Sequence, residues 1–296
     1  MKFIDLHCDT LSECYRLNKN LMSNNLNIDL KKISEFKDAI LFLAIWLDDI
    51  YLDRPFENTI KIIDFFYDQK NKYKKYFLSN KHKFILSIEG GEALENNVDN
   101  LDLFYDRGVR LLTLTWNREN NLAGGCYCSK GLKKFGYEIL ERSKKFNILI
   151  DISHASKKTF WDIYNFNNKN ILATHSNSKT VYNHIRNLDD DQILAIKSCN
   201  SIIGLNLFNE FLTDDKNAQL IHVIKQVEHF LKLNCENNIC LGCDFDGVDN
   251  CLPVGIKNIL DINKIYHLFK INFGKIIADK IFYFNAKNFL KIKEII

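Results

Sequence analysis

Eight short apolar runs, each parted from the next by a longer amphipathic stretch, are the strongest constraint in this 296-residue sequence. The runs are Phe3–Leu6, Ala39–Leu47, Phe84–Ile88, Val109–Thr115, Ile148–Ile152, Ile171–Thr174, Ser201–Leu207 and Ile239–Gly242. They are rich in Ile, Leu, Val and Phe and mostly continuous rather than alternating, as strands buried on both faces are. The stretches between them carry helical spacing. Asn58–Tyr67 sets Ile60, Ile63 and Tyr67 on one side, Leu132–Phe146 and Ala218–Leu233 repeat the pattern, and Ile276–Ile292 reads as a final helix. Strands alternating with helices at this count call for a parallel sheet under helices, and the closed (β/α)8 TIM-type barrel is the first choice. An open doubly wound sheet is the second. No G-x-G-x-x-G or P-loop pattern follows any run, so nothing marks a dinucleotide or phosphate site. No linker, repeat or low-complexity block divides the chain, and residues 1–296 read as one domain.

Charge and cysteine content narrow the function classes. Forty Lys and Arg against 37 Asp and Glu leave a net charge of +3, too weak and dispersed to predict a nucleic-acid partner. Asp5 and His7 interrupt the apolar start that a secretory signal needs. The longest apolar run, Ala39–Leu47, falls far short of the ~20 residues that span a bilayer. These features predict a cytoplasmic protein with no membrane partner. Nine cysteines at irregular spacing fit no disulfide framework. Cys240 and Cys243 have C-x-x-C spacing but lie in an apolar run and read as small core residues.

The chemistry gathers where the runs end. Run one ends in Asp5-Leu-His7-Cys-Asp9, run three in Glu89, run five in Asp151-Ile-Ser-His154, run six in His175 and run eight in Asp244-Phe-Asp246-Gly. In a barrel these are the C-terminal strand ends, where active sites lie. His7 and Asp9 are two apart on a strand and so share a face. Three imidazoles (His7, His154, His175) and two carboxylates (Asp9, Glu89) exceed one open tetrahedral site and suit two transition metals bridged by Glu89. The bland alternatives are a hydrogen-bonded His7–Asp9 pair and ordinary buried histidines. Asp5 and Asp151 read equally well as partners of the histidines or as strand-edge polar groups. His82, flanked by lysines, reads as solvated. Asp244 is placed to move a proton beside a metal-activated water. Arg186, in the loop after run six, suits a substrate carboxylate or an oxyanion.

Seven stretches in order resemble the membrane dipeptidase (renal dipeptidase) family of zinc metallopeptidases. They are residues 4–10, 87–91, 112–117, 151–156, 174–177, 184–188 and 242–247. The resemblance implies an amidohydrolase-like barrel with two Zn2+ ions, other divalent transition metals being alternatives. His7, Asp9 and Glu89 would hold one ion, and Glu89, His154 and His175 the other. It implies that a bridging hydroxide attacks the peptide carbonyl, that Asp244 and Glu89 serve catalysis, and that Arg186 binds substrate. The substrate implied is a small dipeptide, including those with C-terminal D-residues, and a homodimer is compatible with it. Asn288 falls in the segment that closes the barrel in this family. Mammalian members carry His where this chain has Trp116, whereas bacterial-type relatives often have Trp-Asn. Trp116 is expected to pack beneath the pocket, with Asn117 taking the polar contact to substrate; the alternative has Trp116 narrow the site. Lactone or cyclic-amide hydrolysis at the same centre, and a non-catalytic binding homologue, are the other readings.

Overall fold

The computed structural model describes residues 1–77, 81–166, 170–249 and 251–296. Eight parallel strands form one sheet: β1 (Lys2–Cys8), β2 (Asp38–Trp46), β3 (His82–Glu89), β4 (Val109–Thr113), β5 (Leu149–Asp151), β6 (Ile171–Leu172), β7 (Ile203–Leu205) and β8 (Ile239–Leu241). Each falls within or overlaps one of the eight apolar runs. The ladder order is β6-β5-β4-β3-β2-β1-β8-β7. The ring closes between β6 and β7, where Ala173 bridges Ile203 and Gly204 donates its N–H to the Ala173 carbonyl at 2.8 Å. A helix follows every strand, among them Pro55–Lys72 after β2, Lys134–Phe146 after β4 and Leu220–Lys232 after β7. The fold is the (β/α)8 barrel.

Two apolar layers hold it together. The outer layer packs alternate strand residues such as Phe3, Leu41, Ile150 and Leu205 against helix residues such as Ile63, Phe104, Leu140 and Phe230. The inner layer fills the barrel with Ile4, Leu6, Ile40, Phe42, Ile85, Leu111, Leu149 and Leu172. Tyr283, Ala286, Phe289 and Leu290 from the C-terminal segment join that inner layer. Asn285 fastens the plug by donating to the carbonyls of Glu236 and Ile239, at 2.8 and 2.7 Å. Asn288 itself faces outward, so its apolar neighbours close the barrel.

Two sequence expectations need correction here and a third needs refinement. Ile276–Ile292 is helical throughout, as expected, but is not regular α-helix from end to end. The helix Ile262–Asp279 kinks at Gly274 (φ 80°, ψ 162°), a conformation open to glycine, and a π-helical stretch Lys280–Phe284 precedes Asn285–Ile292. On Pro55–Lys72 the buried stripe is Thr59, Ile62, Ile63 and Phe66, while Tyr67 lies outside it and donates its hydroxyl to the Arg107 carbonyl. His82 is buried, with Nε2 3.1 Å from the Phe36 carbonyl oxygen. The lysines beside it alternate outward while its own side chain turns in, as strand geometry dictates.

Among the described residues no helix is long and apolar enough to cross a membrane, and the apolar run Ala39–Leu47 lies largely within β2. All nine cysteines are free, and Cys240 and Cys243 are fully buried core residues.

Candidate metal centre and active site

The geometry of the first histidine depends on a bulge. Asp5 pairs with Leu41 and Cys8 with Leu43, so β1 advances three residues while β2 advances two. An extra residue inverts the side-chain alternation beyond it. Ile4 and Leu6 face the barrel interior, and yet His7 and Asp9 face the centre too. Cys8 turns into the outer layer and donates its thiol to the Phe42 carbonyl. Asp5 pins the bulge: its Oδ1 accepts from the backbone N–H of His7 at 3.3 Å and of Cys243 at 2.9 Å. Burial lifts the Asp5 carboxyl to about 6.

All five expected ligands converge. His7 Nε2 lies 3.3 Å from Asp9 Oδ2 and 3.3 Å from Glu89 Oε2. The other oxygen of Glu89, Oε1, lies 2.8 Å from His154 Nε2 and 3.8 Å from His175 Nε2. The two histidine Nε2 atoms are 2.8 Å apart. Every one of these residues is less than a tenth exposed. Tetrahedral ligands about 2.0–2.1 Å from one ion stand roughly 3.3 Å from each other, the spacing seen around His7. Among the described residues His7 Nε2 also has no hydrogen-bond partner. The donor set is imidazole and carboxylate throughout, which suits borderline transition metals. The residues therefore fit a metal.

Electrostatics agree with that fit. Burial lifts the Asp9 carboxyl to about 8, against the pull of His7. Burial also opposes charge on Glu89, but His7 and His154 outweigh it and hold Glu89 well below the ordinary range. Burial, with His7 and His154 beside it, keeps His175 neutral. A buried carboxylate cluster of this kind needs a cation to stay ionised.

Asp244 stands beside the ligands. Its Oδ1 is 3.8 Å from His7 Nε2, and its Oδ2 accepts from Asn206 Nδ2 at 2.9 Å. His7, Asp9 and Asp244 offer atoms close enough to hold one ion, as do His7, Glu89 and His175. Asp244 (φ 63°) and His154 (φ 66°) both adopt left-handed backbone, a strain of order 1–3 kcal/mol each. Gly247 follows in the same turn, where a Cβ would lie 2.7 Å from Asp244 Oδ1 and closer still to Asp9. Any larger residue there would push these two carboxylates aside. Asp246 anchors the turn by accepting from the Asn27 N–H at 2.6 Å.

Arg186 is buried rather than on the surface, and among the described residues its Nε and Nη2 have no partner. Its guanidinium sits 5.2 Å from the Phe211 ring. It lines a cavity of about 200 Å³ on one side of His154. A second cavity of about 440 Å³ is lined by Asp9, Glu89, His154, Asn117 and Asp244. It shares Trp46, Glu89 and Trp116 with a third of about 760 Å³.

Trp116 and Asn117 depart from the expected arrangement. Trp116 is 38 % exposed and packs on Trp46 at 5.5 Å, so it walls the pocket and does not lie beneath it. The β4 strand ends at Thr113, which leaves Trp116 on the loop. Asn117 Oδ1 is 2.8 Å from His154 Nδ1 and accepts from Cys126 Sγ at 3.2 Å. The amide thus orients a histidine.

Sequence reasoning missed Asn206, Thr174 and Trp46. Asn206 had a signal, since it is the lone amide inside the apolar stretch Ile202-Ile-Gly-Leu-Asn-Leu207.

The profile of the membrane dipeptidase family (peptidase family M19) matches residues 1–295. The chain belongs to this family. It is a metallo-dipeptidase, a hydrolase with a metal cofactor. The crystal structure of the metallopeptidase called dipeptidase AC superposes with a TM-score of 0.90 at 21 % identity, covering 98 % of each chain. A Rhodobacter sphaeroides metallopeptidase, solved with a phosphinate mimic of the dipeptide L-Ala-D-Ala, superposes with a TM-score of 0.86 at 19 % identity, covering 98 % of this chain and 99 % of that one. At such identities the likeness is one of fold. An uncharacterised dipeptidase of Schizosaccharomyces pombe is 30 % identical over 208 residues, 68 % of this chain and half of that protein's length. A Klebsiella pneumoniae protein encoded beside pqqA is 26 % identical over 220 residues, 70 % of this chain and 80 % of its own.

Proposed function

We propose that this M19 member is a two-zinc dipeptidase acting on short substrates with a free C-terminal carboxylate, D-residues at that position included. The observation that carries this reading is Glu89, which turns one carboxylate oxygen to His7 and the other to His154. His7, Asp9 and Glu89 would hold one ion, and Glu89, His154 and His175 the other. When bound, the ions supply Lewis acidity toward the scissile carbonyl and acidify water.

The chain's own residues do the rest. Arg186 receives the substrate carboxylate, which its two unpartnered nitrogens suit. Asp244 takes a proton from the attacking water and returns it to the leaving amine nitrogen as the C–N bond breaks. Asn206 holds Asp244 Oδ2 and leaves Oδ1 facing the centre. Asn117 keeps His154 aimed inward. Trp46 and Trp116 wall the cavity that extends beyond Glu89.

Hydrolysis of L-L and L-D dipeptides, their C-terminal amides and simple lactones, run beside metal analysis, tests the reading. Free dipeptides are expected to be cleaved and their amides spared. Losing a charge-assisted hydrogen bond costs about 1.5–3 kcal/mol, so Arg186→Ala is expected to lower kcat/KM roughly ten- to a hundredfold. Amides cleaved as well as free acids would remove Arg186 from carboxylate recognition. Trp116→Ala is expected to reorder the dipeptide panel, with kcat/KM changing about tenfold for bulky residues, the usual worth of one apolar wall. A uniform change across the panel would show that Trp116 does not select.

A further inference from the structure

The metal-facing histidines are not equally supported. Asp151, at the end of β5, is fully enclosed and accepts four hydrogen bonds. Its Oδ1 takes the backbone N–H of Ser153 at 3.0 Å and of Thr174 at 2.8 Å. Its Oδ2 takes the hydroxyls of Thr113 at 2.8 Å and Thr174 at 2.6 Å. The Thr174 hydroxyl has one hydrogen, and it goes to Asp151 Oδ2. The Thr174 oxygen therefore accepts from His175 Nδ1, 2.7 Å away. A proton on Nδ1 leaves Nε2 bare, as a metal ligand must be. His154 has its own acceptor in Asn117 Oδ1, with the same consequence for its Nε2.

Asp5 repeats half of this device on the other side of the barrel. Its Oδ1 takes the N–H two residues on and one from the neighbouring strand end, as that of Asp151 does. There the likeness stops. Among the described residues Asp5 Oδ2 is buried without a partner, and so is His7 Nδ1. Nothing among them accepts from His7 Nδ1, so no partner holds its proton there and leaves Nε2 bare for metal.

We infer that Asp151, acting through Thr174, is a positioning residue that prepares His175 for metal, and that the His154–His175 half of the centre keeps its ion when the His7–Asp9 half releases its own. The inference rests on the two-ion reading above. Removing such supporting partners lowers metal affinity by about ten- to a hundredfold.

Zinc binding to metal-stripped protein, followed by competition with a chromophoric chelator, tests it. Wild type is expected to show two phases of unequal affinity. Thr174→Val keeps the shape of the side chain and deletes the relay. It is expected to weaken the tighter phase about ten- to a hundredfold and leave the weaker phase in place. Thr174→Ser is expected to restore it. Thr113→Val removes the other hydroxyl from Asp151 without touching His175, and is expected to change affinity far less. Melting temperatures of the stripped variants separate general loosening from positioning. A Thr174→Val curve that overlays wild type overturns the inference, as does equal loss in Thr174→Ser or Thr113→Val. Wild type binding a single ion would refute the two-ion reading, while the variant comparison still decides the role of Asp151 and Thr174.

Discussion

Glu89→Ala is expected to empty the metal centre and lower kcat/KM by about 10³-fold or more. Metal activation of a carbonyl and of water is worth several kcal/mol, and each 1.4 kcal/mol is roughly tenfold in rate. Both oxygens of Glu89 face imidazole nitrogens, at 2.8 and 3.3 Å. Its loss therefore weakens both ligand sets together. Elemental analysis after gentle purification is expected to give up to two ions per chain for wild type and fewer than one for the variant. The milder Glu89→Gln keeps the shape but swaps one oxygen for a donor, and so should spare one set and damage the other. Unchanged stoichiometry and affinity in Glu89→Gln would rule out the shared carboxylate.

Asp244→Asn is expected to lower kcat by about 10²-fold or more, the scale of general acid–base catalysis, with little change in KM. An amide is nearly the same size and cannot take the proton. Asp244 nevertheless also stands close enough to His7 and Asp9 to share an ion with them. Metal analysis separates the roles. Full metal content with low kcat identifies a proton carrier, whereas parallel loss of metal identifies a ligand. Wild-type kcat would remove Asp244 from the reaction. Asn206→Ala frees Oδ2 of Asp244 and leaves the carboxylate in place, so its smaller effect should follow the same pattern.

Much of the site was readable because barrel topology converts sequence order into position. A polar residue that ends a buried apolar run must emerge at one rim, since all eight strands are parallel. His7, Asp9, Glu89, His154, His175 and Asp244 could be collected that way from a linear text. Where the reading went astray, the cause was local. His82 looked solvated because its neighbours are lysines, yet strand alternation turns it inward. The C-terminal stretch Ile276–Ile292 reads as helix because its apolar spacing persists, and the π-helical widening at Lys280–Phe284 is a change of hydrogen-bond register that this spacing does not announce.

Fold class, strand count, the rim of the barrel and the ligand types were determined by the sequence alone, through burial pattern and chemical kind. The facing of His7 was not. Alternation carried on from Ile4 and Leu6 would point it outward, and the bulge that turns it inward is held by an Asp5 contact to Cys243, 238 residues away. The division of Glu89 between two histidine sets, the carbonyl-like support of His154 by Asn117, and the relay from Asp151 to His175 also needed the closed ring. Each is a hydrogen-bond or ion-pair distance between separate strand ends, and such distances exist only once the sheet has curled and brought those ends together.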